Sequence, residues 1–156
     1  MKMTLLASVC IFKGNKVLLL RQAKGESQEG FWGPPGGHAD NEENPLKVAA
    51  RETKEETGLD IEIKGLIRGG ILVIPDGREY AFTFFLAKPE KWKEIVFPKN
   101  EISEYAWASL NDIKKGKYPL RKPFLMPGLL RAFEKKKIAP ADVFVIQGSE
   151  EETPRV

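Results

Sequence analysis

The segment "NPLKVAARETKEETGLD", residues 44–60, carries both a start and a stop signal for one helix, and it constrains this chain more than any other stretch. Asn44 is a residue type whose side-chain oxygen caps a first helical turn, and Pro45 suits the first helical position, where a missing N–H costs nothing. Gly58 is the usual residue just past a helix end. At 100° per residue, Leu46, Ala49, Ala50, Thr53 and Thr57 share one face, the side a core would cover. Glu52, Glu55 and Glu56 share a neighbouring face, and Lys47, Arg51 and Lys54 lie on the remaining side. Like charges at these spacings destabilise a helix by about 0.2–0.5 kcal/mol per pair. A solvated charged face is the ordinary explanation of such a helix. The alternative is a hard-oxygen site for Mg²⁺ or Mn²⁺, in which a divalent cation removes the repulsion. Spacing alone favours the first.

Around this helix the chain alternates between strand and helix patterns. Residues 4–12 and 16–21 read as a hairpin about Gly14-Asn15, and 22–30 as a polar loop. "FWGPPGG" (31–37) brings aromatics to a rigid, glycine-rich loop. Strands are expected at about 60–74 and 78–87, joined by the Pro75-Asp76-Gly77 turn, and at 105–110. A second helix is expected over 124–137, with basic residues at its C-terminal end that favour the dipole, and a late strand over 142–148. The lysine run 135–137 most simply ends that helix. With 156 residues, no internal repeat and no dividing linker, residues 1–148 are expected to form one domain and 149–156 a disordered tail.

Composition excludes little beyond this. Apolar residues make up 42% and charged residues 30%, the profile of a globular chain, and a net charge of +3 is too small to argue for a nucleic-acid partner. The start, "MKMTLLASVCIF", superficially resembles a signal peptide, but Lys13-Gly14-Asn15-Lys16 and a second apolar run follow at once, which is a hairpin pattern. No apolar stretch is long enough to cross a membrane. A lone cysteine, Cys10, in an apolar run cannot form an internal disulfide, so a cytoplasmic home is expected.

A longer pattern turns the balance toward the cation site. Gly37, five residues, Glu43, seven residues, then "RETKEETGL" (51–59) resembles the Nudix box of the Nudix hydrolase family. The fixed positions Gly37, Glu43, Arg51, Glu52, Glu55, Glu56 and Gly58 all match, and Leu59 fits the closing aliphatic position. Thr53 departs mildly, standing where an aliphatic residue is more usual. The resemblance extends to the preceding hairpin, the "WGPPGG" lead-in and the later strand with Trp107, covering roughly residues 3–137.

The resemblance implies a mixed-sheet α/β/α sandwich with the box as loop–helix–loop. It also implies hydrolysis of a nucleoside diphosphate linked to a group X, giving a nucleotide and X-phosphate. Glu52 and Glu56, one turn apart, are the expected holders of Mg²⁺ (or Mn²⁺), with Glu55 as a further ligand and the Gly37 carbonyl completing the shell. Arg51 and Glu43 are expected to brace the loop against the helix by an ion pair. For the general base, Glu55 is the local candidate; Glu101, in "KNEISEYAW", resembles a later-loop carboxylate that does this work or binds another metal in some members, with Glu104 next in line.

Phe31, Trp32 and His38 are candidate substrate contacts, each with a competing structural role: core packing for the two aromatics, loop packing for the histidine. Phe124 and Met126 could line a pocket wall or merely pack. The Gly-Gly-His lead-in and "YPLRKPFLMPGLL" (118–130) resemble members that act on nucleoside triphosphates. Pro75, sixteen residues beyond Leu59, is a weak marker of members that hydrolyse ADP-ribose, though it also suits an ordinary turn. The expected partner is a small nucleotide; a homodimer stays open. A domain that senses a nucleotide without cleaving it is the reading from a different class, and the intact glutamates argue against it.

Overall fold

The computed structural model describes residues 3–40 and 43–134. β1 (Thr4–Lys13) and β2 (Lys16–Gln22) form the hairpin, turning at Gly14, and two short strands follow, β3 (Trp32–Gly33) and β4 (Gly36–His38). Then come α1 (Pro45–Thr57), the long hairpin β5 (Ile61–Val73) and β6 (Glu79–Pro89), β7 (Ile102–Ser109), α2 (Leu110–Lys114) and α3 (Leu125–Phe133).

β1 is the centre of a mixed sheet. It runs parallel to β6, with Leu6 beside Phe82 and Ser8 beside Phe84, and antiparallel to β2 and to β4. β5 completes one side against β6, while β3 and β7 pair with β2. Side chains alternate between faces along each strand. Ala7, Val9, Ile11, Leu18 and Leu20 pack on the face covered by Val48 and Ala49 of α1. Cys10, Val17 and Leu19 pack on the opposite face, covered by Ile113 of α2 and Leu125, Leu129 and Ala132 of α3. Strands buried on both faces read as unbroken apolar runs, and "VLLL" is one. The result is a helix–sheet–helix sandwich with a mixed sheet. No described helix is long and apolar enough to cross a membrane.

Several elements differ from the sequence reading. Residues 31–37 are not a plain loop: two-residue β3 pairs with Leu20 and Arg21, and β4 pairs with Leu6, Ala7 and Ser8. Glycines and prolines hide the strand periodicity there, and neighbouring backbones supply the hydrogen bonds. β7 begins at Ile102, ahead of the expected 105, because the buried Ile102 already pairs with Gln22 across a bulge. α2 has no counterpart in the sequence reading; its signal is Ser109, whose hydroxyl accepts from the Asp112 amide at 3.1 Å. α3 ends at Phe133, and the lysine run 135–137, the expected strand at 142–148 and the tail lie outside the described residues.

Candidate active site

α1 forms for the reasons its sequence advertises. Asn44 Oδ1 accepts from the Lys47 amide at 3.0 Å, Pro45 opens the helix, and Gly58 closes it at φ +77° with its amide on the Lys54 carbonyl at 2.9 Å. Its packing face differs from the expected one. Val48, Ala49, Thr53, Glu56 and Thr57 are buried, whereas Ala50 is exposed. Glu56 has left the acidic face for the core, because β4 stands directly beside it.

Two glycines make that possible. Gly36 lies so close to β1 that a Cβ there would sit 2.2 Å from the Ala7 carbonyl oxygen, and its amide donates to Glu56 Oε1 at 2.8 Å. A Cβ on Gly37 would sit 2.5 Å from the Glu52 carboxyl carbon. The backbone of β4 therefore forms a floor on which two carboxylates, one helical turn apart, come to rest.

Glu56 is 6% exposed, and its carboxyl is pushed up to about 8. Burial is the main cause, opposed by the Arg121 charge and the Gly36 amide and reinforced by Glu52 and Glu101. Burial also raises Glu52, with Arg51 opposing. Arg51 is the hub of the outer shell. It grips Glu43 with two bonds of 2.7 and 2.8 Å, reaches Glu52 at 3.0 Å and Glu55 at 3.3 Å, and donates to the His38 carbonyl at 2.9 Å. The Glu43 carboxylate also accepts from the Asp40 amide at 2.7 Å, and its bond from Arg51 holds its carboxyl below the usual range.

The glutamates expected to act together are thus divided: Glu56 faces inward, Glu52 lies between, and Glu55 is exposed on Arg51. Among the described residues no three acidic, histidine or cysteine side chains converge as a ready-made cation site. Arg51 pairs with the two outer carboxylates, Glu52 and Glu55. The residues nevertheless fit Mg²⁺ or Mn²⁺: the donors are hard oxygens, the Gly37 cradle seats one carboxylate, and buried Glu56 is held against other acids.

The NUDIX domain family model matches residues 3–127. The chain belongs to the Nudix family. A Proteus vulgaris protein named "8-oxo-dGTP diphosphatase" is 31% identical to this Nudix chain over 103 residues, 66% of this chain and 84% of its own length. A Mycobacterium tuberculosis protein named "Putative 8-oxo-dGTP diphosphatase 3" is 30% identical over 130 residues, 81% of this chain; the chain spans 56% of that relative's length. Among solved structures, a NUDIX hydrolase from Nitrosomonas europaea superposes with a TM-score of 0.79 at 21% identity, covering 95% of this chain and 98% of its own.

Around the Nudix box the other candidates separate. Glu101 lies just before β7, and its charge bears on both Glu52 and Glu56. Glu104 turns away to Arg21 at 3.6 Å. Trp32 is 7% exposed and packs edge-on against Tyr118, so it belongs to the core, while Phe31 is 44% exposed. His38 has an exposed side chain and contributes its backbone carbonyl to Arg51. Phe124 stacks at a tilt on Phe82, and Met126 packs beside the α3 core. One residue whose charge bears on these acids, Arg121, lies in the 118–130 segment but is not distinguished there by the sequence. The Arg121 guanidinium lies across Gly33 and donates to the Pro34 carbonyl at 2.9 Å; burial lowers it from its ordinary value, with Glu56 and Glu52 opposing. Its signal is faint: a lone arginine in a loop far from the box.

Proposed function

We propose that this Nudix chain is a Mg²⁺-dependent (or Mn²⁺-dependent) pyrophosphohydrolase that converts a nucleoside triphosphate, in ordinary or oxidised form, to the monophosphate and pyrophosphate. The observation that carries the reading is the pair Glu52 and Glu56, one turn apart on the Gly36–Gly37 floor. The two relatives named for 8-oxo-dGTP support the triphosphate as substrate.

The carboxylates of Glu52 and Glu56 and the Gly37 carbonyl would hold the cation, with Glu55 free to join on leaving Arg51. When bound, Mg²⁺ supplies charge neutralisation of the pyrophosphate and a lowered pKa for water. Glu101, or Glu55 in its place, accepts the proton of the attacking water. Arg51 and Glu43 keep the β4 backbone and α1 in register, so the carboxylates need little reorganisation as substrate binds.

Purified protein with Mg²⁺ should be offered dNTPs, oxidised dNTPs, ADP-ribose and dinucleoside polyphosphates, with products separated by ion-exchange chromatography. Triphosphates should give monophosphate and pyrophosphate, and excess chelator should stop the reaction. Turnover undiminished by chelator would remove the metal from the mechanism. AMP and ribose 5-phosphate formed from ADP-ribose at a higher kcat/KM than any triphosphate would replace the substrate.

A further inference from the structure

The stretch Pro119–Arg121 is fixed to β3 by its backbone. The Trp32 amide donates to the Pro119 carbonyl and the Arg121 amide to the Trp32 carbonyl, both at 2.8 Å, and Leu120 bridges Trp32 in parallel. The Gln28 side chain donates to the Arg121 carbonyl. The Arg121 Cα is therefore held whatever its side chain does. That side chain is laid flat over Gly33: a Cβ there would stand 2.7 Å from Nε and 2.8 Å from Cζ. Gly33 does not have the positive φ that demands glycine, so the space for the guanidinium is what this glycine provides.

A guanidinium has five N–H donors. Among the described residues this one makes its side-chain hydrogen bond to the Pro34 carbonyl and no ion pair within 4 Å, although its charge is felt at Glu56 and Glu52. A partly buried cation is costly unless its donors are met, and a planar fork of donors matches the oxygens of a phosphate. We propose that Arg121 is a substrate-binding residue whose remaining donors grip a phosphate oxygen of the nucleotide's diphosphate, its guanidinium seated in the space that Gly33 leaves open. The assignment rests on the pyrophosphohydrolase reading. It gives the site a protein cation for the substrate besides the metal, and it makes Gly33 and Arg121 a single device. An alternative target, the acceptor edge of a nucleobase, is separated by the test.

Arg121→Gln, Arg121→Lys and Gly33→Ala should be compared with wild type on triphosphates of all four bases. A second readout is calorimetric binding of an α,β-methylene triphosphate in Mg²⁺, with melting curves as the folding control. The expected result is a loss of kcat/KM of about ten- to hundredfold in R121Q, equal across bases, with analogue affinity falling in step. R121K should recover part of it, keeping charge without the fork, and G33A should lose as R121Q does while retaining the arginine. A loss confined to one base would transfer Arg121 to base recognition and overturn the proposal. So would folded R121K and G33A proteins with wild-type analogue affinity. A wild-type protein that cleaves none of the nucleotides would instead overturn the pyrophosphohydrolase reading, and analogue binding would still report on Arg121.

Discussion

The Gly36 amide donates to Glu56 Oε1 at 2.8 Å, and among the described residues this carboxyl, 6% exposed, has no ion pair within 4 Å. Its pKa is about 8, against an ordinary value near 4.5. Between those two values the folded protein binds a proton that the unfolded chain releases, so metal-free stability falls as pH rises through this window. The melting temperature of metal-free wild type should fall between pH 5 and pH 8 by on the order of 5 °C more than that of Glu56→Gln. Glutamine keeps the acceptor for Gly36 and removes the titration, so the variant should fold, lose turnover and gain no stability from Mg²⁺. Parallel melting profiles for the two proteins would show that Glu56 does not titrate in this range.

Glu101 and Glu104 make a matched pair for locating the base. The first bears on Glu52 and Glu56, and the second faces Arg21. Glu101→Gln should lower kcat about 10²-fold or more with KM little changed, the usual scale for a general base. Glu104→Gln should change kcat less than about twofold. The reverse ranking would transfer the role, and two silent variants would leave Glu55 as the base.

Removing Arg51 releases Glu43, Glu52 and Glu55 together and leaves the His38 carbonyl without its donor. Arg51→Ala should lower the melting temperature by roughly 3–8 °C and reduce activity as well. Arg51→Lys, which cannot bond Glu43 through two nitrogens at once, should fall between. Wild-type melting in Arg51→Ala would mean that the network contributes nothing to the fold.

Thr53 is fully buried, and among the described residues its hydroxyl has no hydrogen-bond partner. Thr53→Val replaces that hydroxyl with a methyl of similar size, and should stabilise the protein by about 1–2 kcal/mol in denaturant titration with kcat unchanged. Destabilisation would reveal a partner for the hydroxyl, such as a bound water.

Pro75 occupies an exposed turn whose bonds are met locally: the Ile74 amide donates to the Arg78 carbonyl and the Gly77 amide to the Ile74 carbonyl, both at 2.8 Å. Pro75→Ala should change kcat/KM by less than about fivefold for every substrate, roughly 1 kcal/mol. A far larger loss confined to ADP-ribose would make that compound the substrate.

What can be read in the sequence is local. Asn44, Pro45 and Gly58 announce α1 because caps and stops act within a few residues, and the resemblance to the box implies the Arg51–Glu43 pair. A helical wheel gives angles around the helix but not the neighbours, so Ala50 and Glu56 exchange places once β4 stands beside Glu56. Trp32 is open to two roles until Tyr118, distant in sequence, covers it. Arg121 is invisible for the same reason: only its pairing with β3 brings it to the acidic residues, and no local pattern encodes that pairing.

The parallel pairing of β1 with β6 sets an order of events during folding. Every residue of the acidic helix and of the β1–β4 floor beneath it precedes β6 in the chain. Pairing between strands so far apart in sequence is slow, because a long loop must close first. The floor and the helix are therefore local neighbours that β6 seals, and Arg121 comes later still. A cation held by Glu52 and Glu56 would bind the folded protein in preference to the unfolded chain, and so would act as a latch that slows the opening of a finished structure.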